Sequence, residues 1–317
     1  MPQKKTAPAK RDKCVNEVIF RQKNAENNFS RTKRLWPDPA TILERSRGIF
    51  FAQWEELLRL RSTVLQTSDL DDIHDLRVAS RRFRALLELF YPFAPKAPGT
   101  ELNKSVRKLT RILGGLRNID EALLFFRSRV QADGSDEFTL FHTLSKLRIT
   151  ELKRIDRALR AFNHRNLDRF VRKIVARLNE NGIADRSSIS ILAYLSDVSI
   201  RQYLPIHQLL AVSTNPEYGD QRHALRIAIK KWRYFFEIIA QILDRDYAPH
   251  LGLLREYQSA LGRMNDIAEF RLLLDNLDLP KNEQEFAEAT LRTEEISLLE
   301  SFTELTERKP LAYTFLI

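Results

Sequence analysis

The sequence predicts an all-α protein made of two copies of one helical unit. Apolar residues recur at i, i+3, i+4 and i+7 along most of the chain, and no segment sustains the alternation of a strand. Only nine of the 317 residues are glycine, about 3% where roughly 7% is usual, so turn-dense β architectures and Gly-rich phosphate loops are disfavoured. A basic segment from His74 to Arg84 recurs, without gaps, from His223 to Arg233.

The helices follow from periodicity and punctuation. A first is expected at about 39–66, opening at a proline, and a second at about 71–91. The Pro-rich stretch 91–100 (YPFAPKAPGT) ends the second as a loop, because proline lacks an N–H and disfavours helix before it. A third spans about 101–130, with Gly114-Gly115 as a potential interruption. Residues 131–136 (QADGSD) form a loop, followed by a helix to about 162 and a shorter one at 167–179. Asn181-Gly182 and the serines after it mark the boundary between halves. Helices then recur at about 188–211, 220–243, 247–276 and 281–307. The organisation read from this is a basic extension over 1–39, a helical domain over 40–308 and a tail over 309–317. The first repeat occupies about 40–180 and the second about 187–308.

Charge is unevenly placed. The chain holds 52 Lys and Arg against 42 Asp and Glu, a formal +10. Residues 1–35 hold ten basic against three acidic, residues 36–266 hold 37 against 28, and residues 267–317 hold five against eleven. A basic body beside an acidic end attracts polyanions to one side. The arm (Lys4, Lys5, Lys10, Arg11, Lys13) reads as a weakly specific anion-attracting tail or as a solvated one. A lone cysteine, Cys14, excludes a disulfide framework and a multi-cysteine zinc site, and it fits a reducing compartment. No apolar run has the length of a membrane span, and the first 20 residues lack a signal-peptide core. A soluble, cytoplasmic protein is expected.

The repeat points to a function. Residues 74–84 (HDLRVASRRFR) align on 223–233 (HALRIAIKKWR), with Glu88 matching Glu237 and Asp71 matching Asp220. Leu113-Gly114 then matches Leu261-Gly262, and Asn118 matches Asp266. At about 100° per residue, with His74 at 0°, Arg77, Arg81, Arg84 and Glu88 fall between about 280° and 340°. Leu76, Ala79, Phe83, Leu86, Leu87 and Phe90 gather on the opposite side. The second copy sets His223, Arg226, Lys230, Arg233 and Glu237 against Leu225, Ala228, Trp232, Phe235, Phe236 and Ile239. Each helix thus buries an aromatic stripe and presents a basic column roughly 15 Å long, enough to follow several phosphates. Glu88 and Glu237, four residues after Arg84 and Arg233, are placed to orient them. On the third helix Lys104, Arg107, Lys108 and Arg111 share an arc of about 100°.

On these motifs, and on LTRILGGLRNID and LREYQSALGRMNDIAEF downstream, the sequence resembles the CHAD family, the conserved-histidine α-helical domain, over roughly 40–308. The resemblance implies two four-helix bundles related by a pseudo-two-fold axis, with basic helices lining a central groove. It implies binding of inorganic polyphosphate, near polyphosphate-metabolising enzymes or granules. The binding residues it implies are His74, Arg77, Arg81, Arg84, His223, Arg226, Lys230 and Arg233, followed by Lys104, Arg107, Lys108 and Arg111. The sequence departs from the family at Asn118, where an Asp is usual, so the acidic partner of Arg117 is either Asp120 or missing.

Other chemistries fare less well. Asp71-x-x-His74 and Asp220-x-x-His223 mimic the carboxylate-x-x-His spacing of di-metal bundles. Arg77 and Arg81, or Arg226 and Lys230, share those faces and repel a dication, so no metal is expected and both Asp read as first-turn carboxylates. No carboxylate cluster repeats beside the basic columns to hold Mg²⁺. A non-enzymatic binding module without a cofactor is therefore expected. A nucleic-acid-binding helical protein is the alternative. The basic faces lack Asn and Gln placed for base readout, and the aromatics lie on the buried side, Tyr234 excepted. A scaffold for an acidic partner protein is the third reading. In the polyphosphate reading Arg and Lys neutralise phosphate, and His74 and His223 donate hydrogen bonds.

Overall fold

The computed structural model describes residues 37–93, 96–130, 138–178 and 188–315. The basic arm with Cys14, the 131–136 loop and the Asn181-Gly182 boundary lie outside the described residues. Nine α-helices and one 3-10 turn make up the described chain, with no strand among them. They are α1 (Pro39–Thr67), α2 (Leu70–Phe90), α3 (Lys96–Arg127), α4 (Thr139–Arg160) and α5 (His164–Arg177). After the boundary come α6 (Ser188–Leu210), α7 (Gly219–Leu243), α8 (Ala248–Leu274) and α9 (Lys281–Arg308). No helix among the described residues is long and apolar enough to cross a membrane.

Local chemistry sets the boundaries. Asp38 caps α1, its carboxylate accepting from the Thr41 backbone N–H at 3.0 Å, and Pro39 fills the first position, where no N–H is required. Ser68 ends α1 in the left-handed region at φ 52°, and Asp69 caps α2 by accepting from Asp71 N–H at 2.8 Å. Asp71 and Asp220 both lie in first turns. Two loop expectations are corrected. Residues 96–100 are helical, since Pro98 falls in the first turn of α3, where its ring and missing N–H do no harm. Gly114-Gly115 does not interrupt α3, which is held straight through by buried Leu113 and Leu116. At Gly115 a Cβ would meet Glu151 Oε2 at 2.9 Å, so glycine permits the close approach of α4.

Within the first half α1 packs on α2, α2 on α3, and α3 on α4 and α5; in the second α6 packs on α7, α7 on α8, and α8 on α9. Among the described residues the helix α5 has no counterpart after the boundary. The halves meet where α2 and α1 pack on α7 and where α3 packs on α8. The stripes foreseen on α2 and α7 are buried throughout. Phe83 meets Trp54 at 5.4 Å and Phe50 at 6.4 Å, while Trp232 meets Tyr203 at 5.0 Å and Phe236 at 5.2 Å. A second tie is the buried Glu283 on α9, whose carboxylate accepts the Thr139 and Leu140 backbone N–H groups at 2.9 and 2.8 Å. It caps α4 from the other half of the chain.

Residues 309–315, foreseen as a tail beyond the helical domain, pack onto the back of α7. Leu311 and Phe315 are buried, and Phe315 meets Phe235 at 5.6 Å. The Tyr257 hydroxyl donates to Lys309 O at 2.8 Å and the Tyr203 hydroxyl to Leu311 O at 3.3 Å. His250 lies among them, 4.7 Å from Trp232 and 4.4 Å from Phe236, with Nδ1 3.1 Å from Thr314 Oγ1. Burial pushes its pKa down to about 4, against about 6.5 in an unfolded chain. The folded state therefore favours the neutral ring. The stability this contributes is complete above about pH 6.5 and is lost as pH falls toward about 4. Between pH 7.5 and 5.5, where carboxylates scarcely titrate, about 1 kcal/mol should disappear, lowering Tm by about 2–4 °C. Melting curves at the two pH values test this: the drop should shrink in His250→Phe, and an equal drop in that variant would contradict it.

Candidate functional site

Where α2 meets α7, and α3 meets α8, the structure gathers positive charge. Arg77 and Arg81 come from α2, Arg117 from α3 and Arg226 from α7, each half-buried. Burial pushes the Arg77 pKa down to about 10, helped by the charges of Arg81 and Arg117. Burial also lowers Arg81 and Arg226, with Arg117 adding to both. All remain cationic at neutral pH, so the protein holds desolvated, mutually repelling guanidiniums in one place.

Most of these charges lack a counter-ion. Among the described residues no carboxylate lies within ion-pair distance of Arg77, Arg81, Arg226 or Lys230, and the buried Nε of Arg77 has no hydrogen-bond acceptor. Arg117 differs. It reaches across to α8, placing Nη1 and Nη2 3.3 and 3.4 Å from the two oxygens of Asp266, and touches Glu121 at 3.4 Å. Asn118 beside it donates to Glu269 Oε2 at 2.9 Å. Neither sequence alternative for Arg117 holds: Asp120 faces α4 and accepts from Arg148 Nε at 2.8 Å, while the partner of Arg117 comes from the other half. Asp266 and Glu269 also draw the Arg226 pKa back upward.

Beside this cluster a cleft of about 460 Å³ opens between α2, α6 and α7. Arg81, Arg84, Lys230, Lys231 and Arg201 line it, with Glu88 as its one carboxylate. Arg84 gives one nitrogen to Glu88 at 3.3 Å and leaves its buried Nε without an acceptor. Tyr194, Val198 and Phe235 form apolar wall. A larger cleft of about 680 Å³ lies beyond Tyr234 and Ile238, which line both. Its charges nearly balance, with Glu56, Asp75 and Glu237 facing Arg82 and Arg255. Charge, not volume, distinguishes the first.

The foreseen residues thus divide. Arg77, Arg81, Arg226 and Lys230 come together, with Arg84 at the cleft. Arg233, the match of Arg84, is turned inward: buried, ion-paired with Glu237, donating to Gln258 Oε1 at 2.6 Å and covering the Tyr234 ring at 4.6 Å. Tyr234 is therefore buried beneath a guanidinium rather than open to a base. His223 Nδ1 lies 2.6 Å from Asn265 Oδ1, and His74 is exposed at the start of α2. Lys104, Arg107, Lys108 and Arg111 are exposed on α3, and none lines the 460 Å³ cleft. By helical geometry they point about 130° away from Arg117 on the same helix. Lys108 instead borders a 340 Å³ cleft against α5.

Sequence reasoning passed over Arg117, which lies in the cluster, and Lys231 and Arg201, which line the cleft. Lys231 had a visible signal, since it matches Arg82 within the repeat. Arg201 had none; α6 brings it to the cleft, where it pairs with Asp197 at 2.6 Å. Among the described residues no group of three or more His, Cys, Asp or Glu side chains is placed to hold a metal ion.

Comparison with known proteins agrees with this architecture. The crystal structure of the CHAD domain from the plant Ricinus communis superposes with a TM-score of 0.63 at 22% identity, covering 87% of this chain and 94% of that one. PptA from Streptomyces chartreusis superposes with a TM-score of 0.58 at 15% identity, covering 86% and 98%. At these identities the likeness concerns the fold. No curated protein matches the sequence. The CHAD domain profile matches residues 48–275, most of the chain. The chain belongs to the CHAD domain family.

Proposed function

We propose that the protein binds inorganic polyphosphate without transforming it, in the basic groove at the α2–α7 junction. The observation that carries this reading is the set of half-buried cations, Arg77, Arg81, Arg226 and Lys230, with no carboxylate within ion-pair distance of them among the described residues. A charge taken from water without a partner is costly, and an arriving anion offsets that cost. Phosphate oxygens suit the planar fork of arginine, which forms paired, charge-assisted hydrogen bonds. The adjoining cleft continues the positive lining through Arg84, Lys231 and Arg201, which suits an anion that repeats along its length. Membership of the CHAD family supports the same ligand.

Binding without turnover is favoured because the carboxylates beside the site are held: Asp266 by Arg117, Glu269 by Asn118 and Glu88 by Arg84. His223 would orient through Asn265 and offer its other ring nitrogen to phosphate, with His74 in the matching role on α2. Cytoplasmic polyphosphate, with its granules and enzymes, is the setting this function implies.

Calorimetric titration at about 0.15 M salt with long-chain polyphosphate, pyrophosphate and orthophosphate tests the reading. The polymer should bind at least about 100-fold more tightly than pyrophosphate, since it engages several cations at once. Equal affinity for the three would overturn it.

A further inference from the structure

A second basic surface lies on the first half of the molecule, away from the α2–α7 junction. The amphipathic helix α5 buries Leu167, Val171, Ile174, Val175 and Leu178 and turns Arg165, Arg169 and Lys173 to solvent. These three stand at i, i+4 and i+8, a stack of like charges that weakens an isolated helix by about 0.2–0.5 kcal/mol per pair. The helix has one carboxylate, Asp168, and that is taken: it accepts from Arg172 at 2.8 Å and from Trp54 Nε1 at 3.2 Å. Its neighbour α3 carries the exposed Lys104, Arg107, Lys108 and Arg111. The two helices share the 340 Å³ cleft, bordered by Lys108 and the one carboxylate Glu101 from α3 and by Asn166 and Phe170 from α5.

None of these seven cations forms an ion pair among the described residues. Elsewhere many exposed arginines are matched, as in Arg59–Glu56, Arg154–Glu151, Arg160–Asp156, Arg201–Asp197 and Arg308–Glu304, while unpaired ones such as Arg157, Arg255 and Arg292 are scattered; here seven unpaired cations share two neighbouring helices. A solvated face mixes both signs. A face with seven unpaired cations against the single carboxylate of Glu101, partly on a helix with no counterpart among the described residues of the other half, suits an anion too long for the junction.

We propose that the α3–α5 face is a second track for the same polymer, engaged by long polyphosphate chains after the α2–α7 junction is occupied. The inference rests on the polyphosphate reading above. The two sites lie on opposite sides of α3: Lys108 and Arg117 are nine residues apart, about 13 Å along the helix and about 180° around it, so a polymer reaches both by passing around the helix. A polymer that reaches both binds bivalently, so the second contact forms at high effective concentration and strengthens long chains selectively. The junction then sets affinity for short oligomers, and the α3–α5 face sets the preference for length.

The test compares wild type with Arg165→Glu/Arg169→Glu/Lys173→Glu, and with the milder Arg→Gln and Lys→Gln triple variant at the same sites. Each is titrated with polyphosphate of about ten and about one hundred residues, over a salt series. Circular dichroism checks that helicity is kept. The expected result is an unchanged affinity for the short oligomer and at least a tenfold loss for the long one. The slope of log K against log salt for the long chain should become shallower by about 2, for three lost phosphate contacts on a single strand. Long-chain affinity and slope equal to wild type would overturn the second track, as would a short-oligomer loss as large as the long-chain loss. Loss of duplex-DNA binding with long-chain polyphosphate binding intact would also overturn it, assigning the face to nucleic acid. Failure of wild type to bind either polyphosphate would instead remove the junction reading on which it rests.

Discussion

Arg81→Glu combined with Lys230→Glu is expected to weaken long-chain polyphosphate binding by two orders of magnitude or more at about 0.15 M salt. Both side chains line the basic cleft, and Arg81 also belongs to the half-buried cluster with Arg77, Arg117 and Arg226. Each supplies a charge-assisted hydrogen bond of about 1.5–3 kcal/mol to a phosphate oxygen, and each reversal adds repulsion. The two losses together amount to about 3–6 kcal/mol, or at least about 100-fold. The fold should persist, because neither residue forms an ion pair among the described residues. A new carboxylate at 81 faces the unpaired Arg77 and Arg226, relieving like-charge repulsion. Titration and thermal melting on the same sample separate the effects: binding should collapse while Tm holds or rises.

Ending the chain after Arg308 should have the largest effect on stability. Removing residues 309–317 takes away the buried Leu311 and Phe315 and exposes the apolar back of α7. Each buried side chain contributes about 1.5–3 kcal/mol. The acceptors for the Tyr257 and Tyr203 hydroxyls go as well, at about 1 kcal/mol each. A loss of about 5 kcal/mol lowers Tm by about 10–15 °C in a chain of this size. The same helix carries Arg226 and Lys230 on its other face, so weaker packing behind α7 should also loosen the anion site. Differential scanning calorimetry of the shortened chain checks this, and a Tm within about 2 °C of the full chain would contradict it.

The helices and their buried stripes were legible because they depend on a local property, the 3.6-residue period. Phe83 and Trp232 lie inside because every apolar neighbour on that face agrees with them. The basic columns were legible for the same reason, as the complement of the stripe. What helical arithmetic cannot supply is the surface that a face meets. Arg84 and Arg233 occupy matching positions, yet one lines the cleft and the other is locked by Glu237 and Gln258. Lys104, Arg107, Lys108 and Arg111 share an arc, yet that arc looks away from the α2–α7 junction.

The other omissions are long-range contacts. Arg117 finds its carboxylate 149 positions away in Asp266, and Glu283 caps α4 from 144 positions away. No local pattern announces either one. The C-terminal segment escaped notice because nine residues beginning KP carry no helical period, although Leu311 and Phe315 are as buried as the core they join. Intrinsic propensity makes Pro98 a helix breaker and Gly114-Gly115 a potential interruption, and first-turn placement and tertiary packing override both.

On the proposed function, the unpaired cations at the α2–α7 junction form a site for polyphosphate rather than a general polyanion surface. A competition titration tests it most directly. Labelled long-chain polyphosphate bound at about 0.15 M salt is challenged with duplex DNA at equal phosphate concentration, on wild type and on Arg81→Glu/Lys230→Glu. The prediction is that DNA displaces the polymer poorly from wild type and that the folded double variant binds too weakly to be competed. Displacement by DNA as effective as by unlabelled polyphosphate, or a double variant that binds like wild type, would contradict the account.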